Sequence, residues 1–158
     1  MSPLQTAVLL AAVVTTGLTA GLFAVFAHAV MPAFARSSDR VLVEGMQNIN
    51  RTILNPLFMI CFLGPIPLLI AAVAVLWGDP SLPWLIAALV LYVGSFIVTI
   101  AGNVPLNNRL DQAGDPDRVP DLGAVRRAFE PRWVTLNLVR TIGHTLAFAC
   151  AAYALALA

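Results

Sequence analysis

Four long hydrophobic runs, nearly free of charge, restrict the fold that this chain can adopt. They cover roughly residues 5–34, 56–77, 82–104 and 133–157 of a chain of 158 residues. A helix needs about 20 apolar residues to cross the hydrocarbon core of a bilayer. No segment alternates polar and apolar residues as a half-buried strand would. The sequence therefore predicts an all-α fold, a four-transmembrane-helix bundle that forms a single integral membrane domain over residues 1–158.

The arginines are distributed unevenly among the loops. All nine basic residues are arginine, and all except Arg140 lie in the first or third loop or at its edge. The N-terminus, the second loop and the C-terminus carry none. The positive-inside rule then places loops one and three in the cytoplasm and both termini outside, in a membrane that we expect to be a bacterial inner membrane. Acidic residues offset the arginines of loop three, so nucleic acid is not an expected partner.

Both cytoplasmic loops carry signals for short interfacial helices. Ser37, Ser38 and Asp39 offer N-caps for a helix that continues to about residue 54, with apolar residues on one stripe. Asn55 precedes Pro56, which predicts a cap and the start of the second span. In loop three, a helix capped by Asp121 is expected to end at Phe129, with the last span beginning after Pro131.

Polar residues interrupt the last hydrophobic run at helical spacing. Trp133, Asn137, Arg140, Thr141 and His144 follow one another at i, i+4, i+7, i+8 and i+11. This spacing predicts that all five lie on one face of a helix. Polar and ionisable groups inside a membrane are costly and usually mark a functional site. The last run is therefore predicted to carry such a site.

Polar residues also gather where the other runs meet the cytoplasmic loops. Asn103 and Asn107 end the third run, and the start of the second carries Asn48, Arg51 and Asn55. His28 lies near the end of the first run, spaced from Gly17, Gly21 and Ala24 as on one helical face, which predicts that its ring points into the bundle. Because all four run ends lie on one side, we expect them to converge on one pocket in the inner half of the bilayer.

Each of these residues also has a purely structural interpretation. His28 and His144 are compatible with hydrogen bonds between packed helices. Arg140 lies about 10 Å into its span, at 1.5 Å per residue, and is close enough to extend to the cytoplasmic interface. Trp133 fits an interfacial aromatic belt. Cys61 and Cys150 form no metal-binding spacing and are expected to be buried as small apolar residues.

Three motifs carry a resemblance to a known family. They are residues 46–50 with 55–58, residues 102–107, and Trp133 with Asn137, Arg140 and Thr141. Together they resemble the anthrone oxygenase-like family of small four-helix integral membrane proteins, many of unknown function, over nearly the whole chain. Characterised members convert anthrones to anthraquinones with dioxygen in fungal polyketide pathways. The resemblance implies a membrane-embedded monooxygenase that acts on an apolar anthrone- or polyketide-like phenol.

The implied chemistry assigns a role to each polar residue. A base must remove an acidic C–H proton, and a cation must stabilise the enolate that reacts with dioxygen, so no metal or other cofactor is expected. The candidate catalytic residues are His28, Arg140 and His144. The candidate substrate-binding residues share hydrogen-bonding or stacking groups and are Asn50, Asn55, Asn103, Asn107, Trp133, Asn137 and Thr141.

Other functions remain open at this point. His28 and His144 lie on different spans, which would also suit a haem or copper redox protein. A non-catalytic accessory or ligand-binding module is a third interpretation, and the chain is compatible with a homo-oligomer. A transporter is less favoured, because no inverted repeat is visible. In every case the expected surroundings are the lipid bilayer.

Overall fold

The computed structural model describes all 158 residues and contains helices but no strand. Four helices are long and apolar enough to cross a membrane, and a shorter amphipathic helix lies in the first loop. In chain order they are α1 (Pro3–Ala35), α2 (Asp39–Ile53), α3 (Pro56–Val75), α4 (Leu82–Gln112) and α5 (Leu122–Leu157). The predicted all-α bundle with four membrane-spanning helices is therefore confirmed.

The four long helices form a ring in which α5 packs most extensively against α4 and α1, and α3 packs between α1 and α4. Two apolar clusters fill the middle of the bundle and the end that carries loop two, around Tyr92 and Leu85 respectively. A third cluster fills the end that carries loops one and three, where α2 covers it with Leu42 and Met46. The apolar stripe of α2 thus packs against the end of the bundle.

The helix caps lie where the sequence indicates them. The Ser38 hydroxyl accepts a hydrogen bond from the Val41 amide at the start of α2, and Asn55 Oδ1 accepts one from the Phe58 amide at the start of α3. Asp121 likewise caps α5 through the Ala124 amide. These bonds satisfy amide groups that a helix leaves without intrahelical partners.

The prediction of a separate short helix that ends at Phe129 is wrong, because α5 continues without a break through Pro131. A proline inside a helix removes one backbone hydrogen bond and usually kinks or ends the helix. Here Phe129 and Trp133, on either side of the proline, pack into the same apolar cluster. Tertiary packing of both sides therefore outweighs the local preference for a break.

Loops one and three contact each other at the same end of the bundle. Arg40 pairs with Asp117 at 2.7 Å, and Arg51 pairs with Asp111 at 2.9 Å. The hydrogen bond and charge of Arg40 hold the pKa of the Asp117 carboxyl below its ordinary value. Because these side chains are well exposed, each pair contributes little to stability. The two ion pairs show, however, that loops one and three lie at the same end of the bundle.

Helices α4 and α5 approach each other closely at Gly143. A Cβ atom there would collide with Ser95 Oγ and would lie 3.3 Å from Ser95 Cβ. We expect Gly143→Ala to lower the free energy of unfolding by about 1–3 kcal/mol, the usual cost of overpacking. Adding Ser95→Gly should recover most of this loss, as measured by denaturation in detergent. Strictly additive effects of the two substitutions would contradict this contact.

Candidate functional site

A cleft opens at the end of the bundle that carries loops one and three. Its cavity volume is about 180 Å³. Aromatic rings from three helices form much of its wall, and most of the remaining lining is aliphatic. Four polar side chains complete it: Asn50, Thr99, Asn107 and Arg140. The polar groups thus face a largely apolar space.

Helix irregularities surround this cleft. A π-helical turn interrupts α1 at Phe26–Val30, and a second interrupts α4 at Thr99–Asn103. Single π-helical turns inside α-helices are frequent at functional sites. In α3, Gly64 joins two helical segments, Pro56–Leu63 and Pro65–Val75. The first segment packs against α1, whereas the second also packs against α4, so the cleft occupies the space between α3 and α4.

The mouth of the cleft faces the outside of the bundle between α3 and α4. Leu54, Met59, Leu63 and Ile100 line the cleft and are also exposed on the outer surface. These side chains are apolar and belong to, or directly precede, helices long enough to cross a membrane. The opening is therefore suited to face lipid acyl chains.

Arg140 lies at the wall of the cleft and is only 5% exposed. Its Nε donates a hydrogen bond to Asn137 Oδ1 at 3.0 Å, and its guanidinium carbon lies 4.0 Å from the Phe23 ring centroid. The Trp133 ring is 5.2 Å away. Neither terminal nitrogen has a hydrogen-bond partner in the protein, and none of the seven ion pairs involves this arginine. The side chain points inward and does not extend to the interface.

Three asparagines position the neighbours of Arg140. Asn137 Nδ2 donates to the Phe23 carbonyl at 3.3 Å, which links α5 to α1. Asn107 Oδ1 accepts a hydrogen bond from Trp133 Nε1 at 2.8 Å, and Asn103 Nδ2 donates to the Trp133 carbonyl at 3.3 Å. Trp133 is 2% exposed, so it is a buried part of this network and not a belt residue.

All five polar residues of the last run are buried on one face of α5, as their spacing predicts. Thr141 donates to the Asn137 carbonyl within its own helix, so its hydroxyl does not reach the cleft. Asn55 is exposed and caps α3, and it lines a separate groove outside the cleft. Asn50 lines the cleft, and its buried Nδ2 has no partner.

His144 is fully buried one helical turn beyond Arg140. Its ring stacks on Phe23, with 5.1 Å between centroids, and contacts Tyr92 at 4.5 Å. Neither ring nitrogen has a hydrogen-bond partner. The imidazole lies behind the wall of the cleft, because Phe23 lines the cleft and His144 does not.

The prediction that His28 points into the bundle is wrong, because its side chain is exposed on the outer surface of α1. The inward face of α1 instead carries Thr16, Ala20 and Phe23. Burying the large Phe23 ring against α3 and α5 gains more apolar contact than burying a glycine stripe. His28 and His144 therefore do not meet in a shared site. No group of three or more histidine, cysteine or acidic side chains is arranged to hold a metal.

The sequence was compared with models of known protein families. The model described as anthrone oxygenase matches residues 58–150, which is more than half of the chain. The chain belongs to the anthrone oxygenase family. A search of curated proteins and a search of solved structures found no match.

The family match spans most of the site. It begins at Phe58, on the wall of the cleft, and includes α4 and the polar face of α5 with Arg140 and His144. His28 and Asn50 lie before the matched residues. The matched residues thus include the inward-facing arginine and the walls of the cleft formed by α3, α4 and α5, whereas Phe23 and Phe26 of α1 lie outside the match.

Sequence reasoning missed the apolar half of the site. Phe23, Phe62, Met59 and Ile100 line the cleft, yet each is an apolar residue inside an apolar run. Nothing in the pattern distinguishes such residues from ordinary packing or lipid-facing positions. The Gly64–Pro65 pair inside α3 is the one sequence signal that a cavity could open beside this helix, because proline removes a backbone hydrogen bond.

Proposed function

We propose that this protein is a membrane-embedded oxygenase that oxidises an apolar anthrone- or polyketide-like phenol with dioxygen, without a metal or organic cofactor. The observation that carries the proposal is Arg140, a buried cation without a carboxylate partner at the wall of an apolar cleft. An arginine inside a membrane costs about 2.5–3.5 kcal/mol on insertion scales, so its retention points to a function. Membership of the anthrone oxygenase family supports the same reaction class.

The unpaired guanidinium matches the charge that develops in this reaction. An anthrone carries an acidic CH₂ between two aromatic rings, and removal of one proton leaves an enolate whose oxygen is negative. Donors fixed in a water-poor site stabilise such an oxyanion more strongly than they would in water. The electron-rich enolate then reacts with dioxygen. The balanced outcome converts the CH₂ and one dioxygen into a carbonyl and one water.

The other polar groups of the cleft are also donors. Asn50 Nδ2 has no partner, and Asn107 Nδ2 makes no hydrogen bond within the protein. These amides are suited to bind phenol and carbonyl oxygens of the substrate. The Trp133 ring offers a stacking surface, while Asn103, Asn137 and Thr141 act through their neighbours. We assign Asn50, Asn107 and Trp133 to substrate binding. The other three residues, Asn103, Asn137 and Thr141, are assigned to positioning.

The lipid-facing mouth leads us to propose that the substrate enters from the bilayer. Ile100→Trp should narrow the opening and raise KM for an anthrone by about tenfold. A change of even one methylene group in an apolar pocket alters substrate binding by roughly 1–3 kcal/mol. The melting temperature should not fall, since Ile100 is 47% exposed. Ile97→Trp is the matched control, because Ile97 is also exposed on α4 but does not line the cleft. Equal KM values for the two variants would contradict this entrance.

We further propose that loops one and three lie in the cytoplasm of a bacterial cell, which would place the cleft in the inner leaflet. The shared side of these loops supports this orientation. In a variant in which Cys61 and Cys150 are both replaced by serine, Arg118→Cys should react with an impermeant thiol reagent only after the cells are opened. Asp79→Cys in the same background should react in intact cells. The reverse pattern would contradict the orientation.

Ligand binding tests the proposed site directly. A dihydroxyanthraquinone resembles the product and changes colour when its phenol ionises. Bound next to Arg140, it should show the phenolate spectrum at a lower pH than it does in empty detergent micelles. Anthracene has a similar size but no oxygen, so its spectrum provides the control for simple partitioning. Identical ionisation of the phenol with and without protein would overturn the proposed site.

A further inference from the structure

His144 is a buried polar side chain that the fold leaves unsatisfied. It has no exposed surface, and neither Nδ1 nor Nε2 finds a hydrogen-bond partner. By contrast, the buried side chains of Asn137, Arg140 and Thr141 on the same helix face all make hydrogen bonds. An unpartnered buried polar group lowers stability. A residue that costs stability without a structural bond is a candidate for a role in function.

One aromatic ring separates this imidazole from the cleft. Phe23 stacks on His144 with 24° between the ring planes, contacts the guanidinium of Arg140, and lines the cleft. On another side of the imidazole lies Tyr92, whose hydroxyl donates its proton to the Phe62 carbonyl at 2.8 Å, so that this proton is not available to His144. Phe23 is therefore the side chain that would have to move for the imidazole to face the cleft.

We propose that His144 is the proton acceptor of the reaction and that Phe23 controls its access to the substrate. This inference depends on the proposed function, because it concerns the same cleft. Histidine is the side chain best suited to take up and return a proton near neutral pH. No histidine and no carboxylate lines the cleft, and His144 is the histidine directly behind its wall. The position of His144 one turn from Arg140 keeps the acceptor and the stabilising cation next to each other.

The proposed step conserves protons and electrons. The C–H bond of the bound phenolic substrate breaks, its proton moves to an imidazole nitrogen, and its electron pair remains on the substrate as the enolate that faces Arg140. After dioxygen has added at that carbon, the imidazolium protonates the peroxide. The imidazole then accepts the remaining C–H proton, and the carbonyl forms as the O–O bond breaks and hydroxide departs. The imidazolium returns its proton to the departing hydroxide, which leaves as water.

Replacement of His144 by leucine separates a catalytic role from a structural one. If the imidazole is an unsatisfied base, His144→Leu should lower kcat by about 10²–10⁴-fold, the usual contribution of acid–base catalysis. The melting temperature should rise or stay constant, because no hydrogen bond is lost. Thr145→Leu, an exposed neighbour on α5, is the control. Unchanged kcat, or a fall in melting temperature that accounts for the lost turnover, would overturn the proposal.

Chemical modification tests the role of Phe23 without relying on turnover. Ethoxyformylation can be followed at each histidine by mass spectrometry, and the exposed His28 provides an internal reference. We expect His144 to react slowly in the wild-type protein and at least about tenfold faster in Phe23→Ala, with protection by a bound dihydroxyanthraquinone. Equal rates at His144 in both proteins would exclude Phe23 as the barrier. His144→Gln serves as the kinetic variant if the leucine variant does not fold.

The two levels of the proposal fail in different ways. If Arg140→Gln loses turnover and His144→Leu retains it, the cleft is the site but the proton acceptor is not His144. If both variants retain the turnover of the wild-type protein, the reaction takes place but neither residue carries it. If the folded wild-type protein shows no turnover above the spontaneous rate, the proposed function itself is wrong.

Discussion

Replacing Arg140 with glutamine is expected to lower kcat/KM for an anthrone by about 10²–10³-fold, the effect of removing one oxyanion-stabilising donor in other enzymes. Glutamine keeps hydrogen-bonding capacity but removes the positive charge. The loss should appear both in oxygen uptake and in the affinity for an ionised dihydroxyanthraquinone. The fold should persist, because Arg140 makes only one protein hydrogen bond through its own donors.

Two further variants make this test specific. Arg132→Gln removes an arginine from the same helix, but Arg132 is exposed and lies outside the cleft, so turnover should be unchanged. Arg140→Lys keeps the charge but loses the planar fork of donors, and it should retain part of the activity. If Arg140→Gln keeps both turnover and ligand affinity, the oxyanion role is wrong.

The second large effect is expected at Arg126, which ties the start of α5 to the end of α1. Its guanidinium pairs with Glu130 at 2.6 Å and Asp39 at 3.0 Å. It also donates to carbonyls at the end of α1 and just beyond it, those of Phe34, Ala35 and Ser37. The side chain is only 15% exposed, so its removal would leave several acceptors without a hydrogen-bond donor.

We expect Arg126→Gln to lower the free energy of unfolding by about 3 kcal/mol, since hydrogen bonds to charged groups contribute roughly 1.5–3 kcal/mol and some are partly exposed here. At about 2–4 °C per kcal/mol for a chain of this size, the melting temperature should fall by roughly 6–12 °C. Thermal unfolding in detergent would measure this change.

Arg127 provides a matched control for Arg126. It is the next residue along α5, but it is exposed and pairs only with Asp121, at 3.6 Å. Arg127→Gln should change stability by no more than about 0.5 kcal/mol, as exposed ion pairs contribute little. Equal melting temperatures for the two variants would show that the Arg126 network does not hold the helices together.

The polar part of the site could be predicted from the sequence because polar residues stand out in an apolar run. The spacing of Trp133, Asn137, Arg140 and His144 is sufficient to place them on one helical face, and all are buried there. Capping chemistry is similarly local, so Asn55 could be placed at a helix start. These predictions depend only on helical periodicity and on contacts a few residues apart.

The remaining features depend on packing between helices, which local patterns do not encode. Gly17 packs beneath the Phe148 ring, but Gly21 has open space around it, so the pair does not form one interface. The orientation of α1 follows Phe23 instead, and His28 consequently turns outward. Pro131 stays inside a helix for the same reason, since its flanking residues pack into one cluster.

Oxygen uptake with emodin anthrone is the most direct test that this cleft supports cofactor-independent oxidation. The protein would be purified in detergent, treated with a chelator and checked for metal content and for visible absorbance. We expect uptake well above the spontaneous rate, with one dioxygen consumed for each quinone formed and loss of the enhancement in Arg140→Gln. Uptake at the spontaneous rate by folded protein, or uptake that returns only when a metal is added, would contradict the proposal.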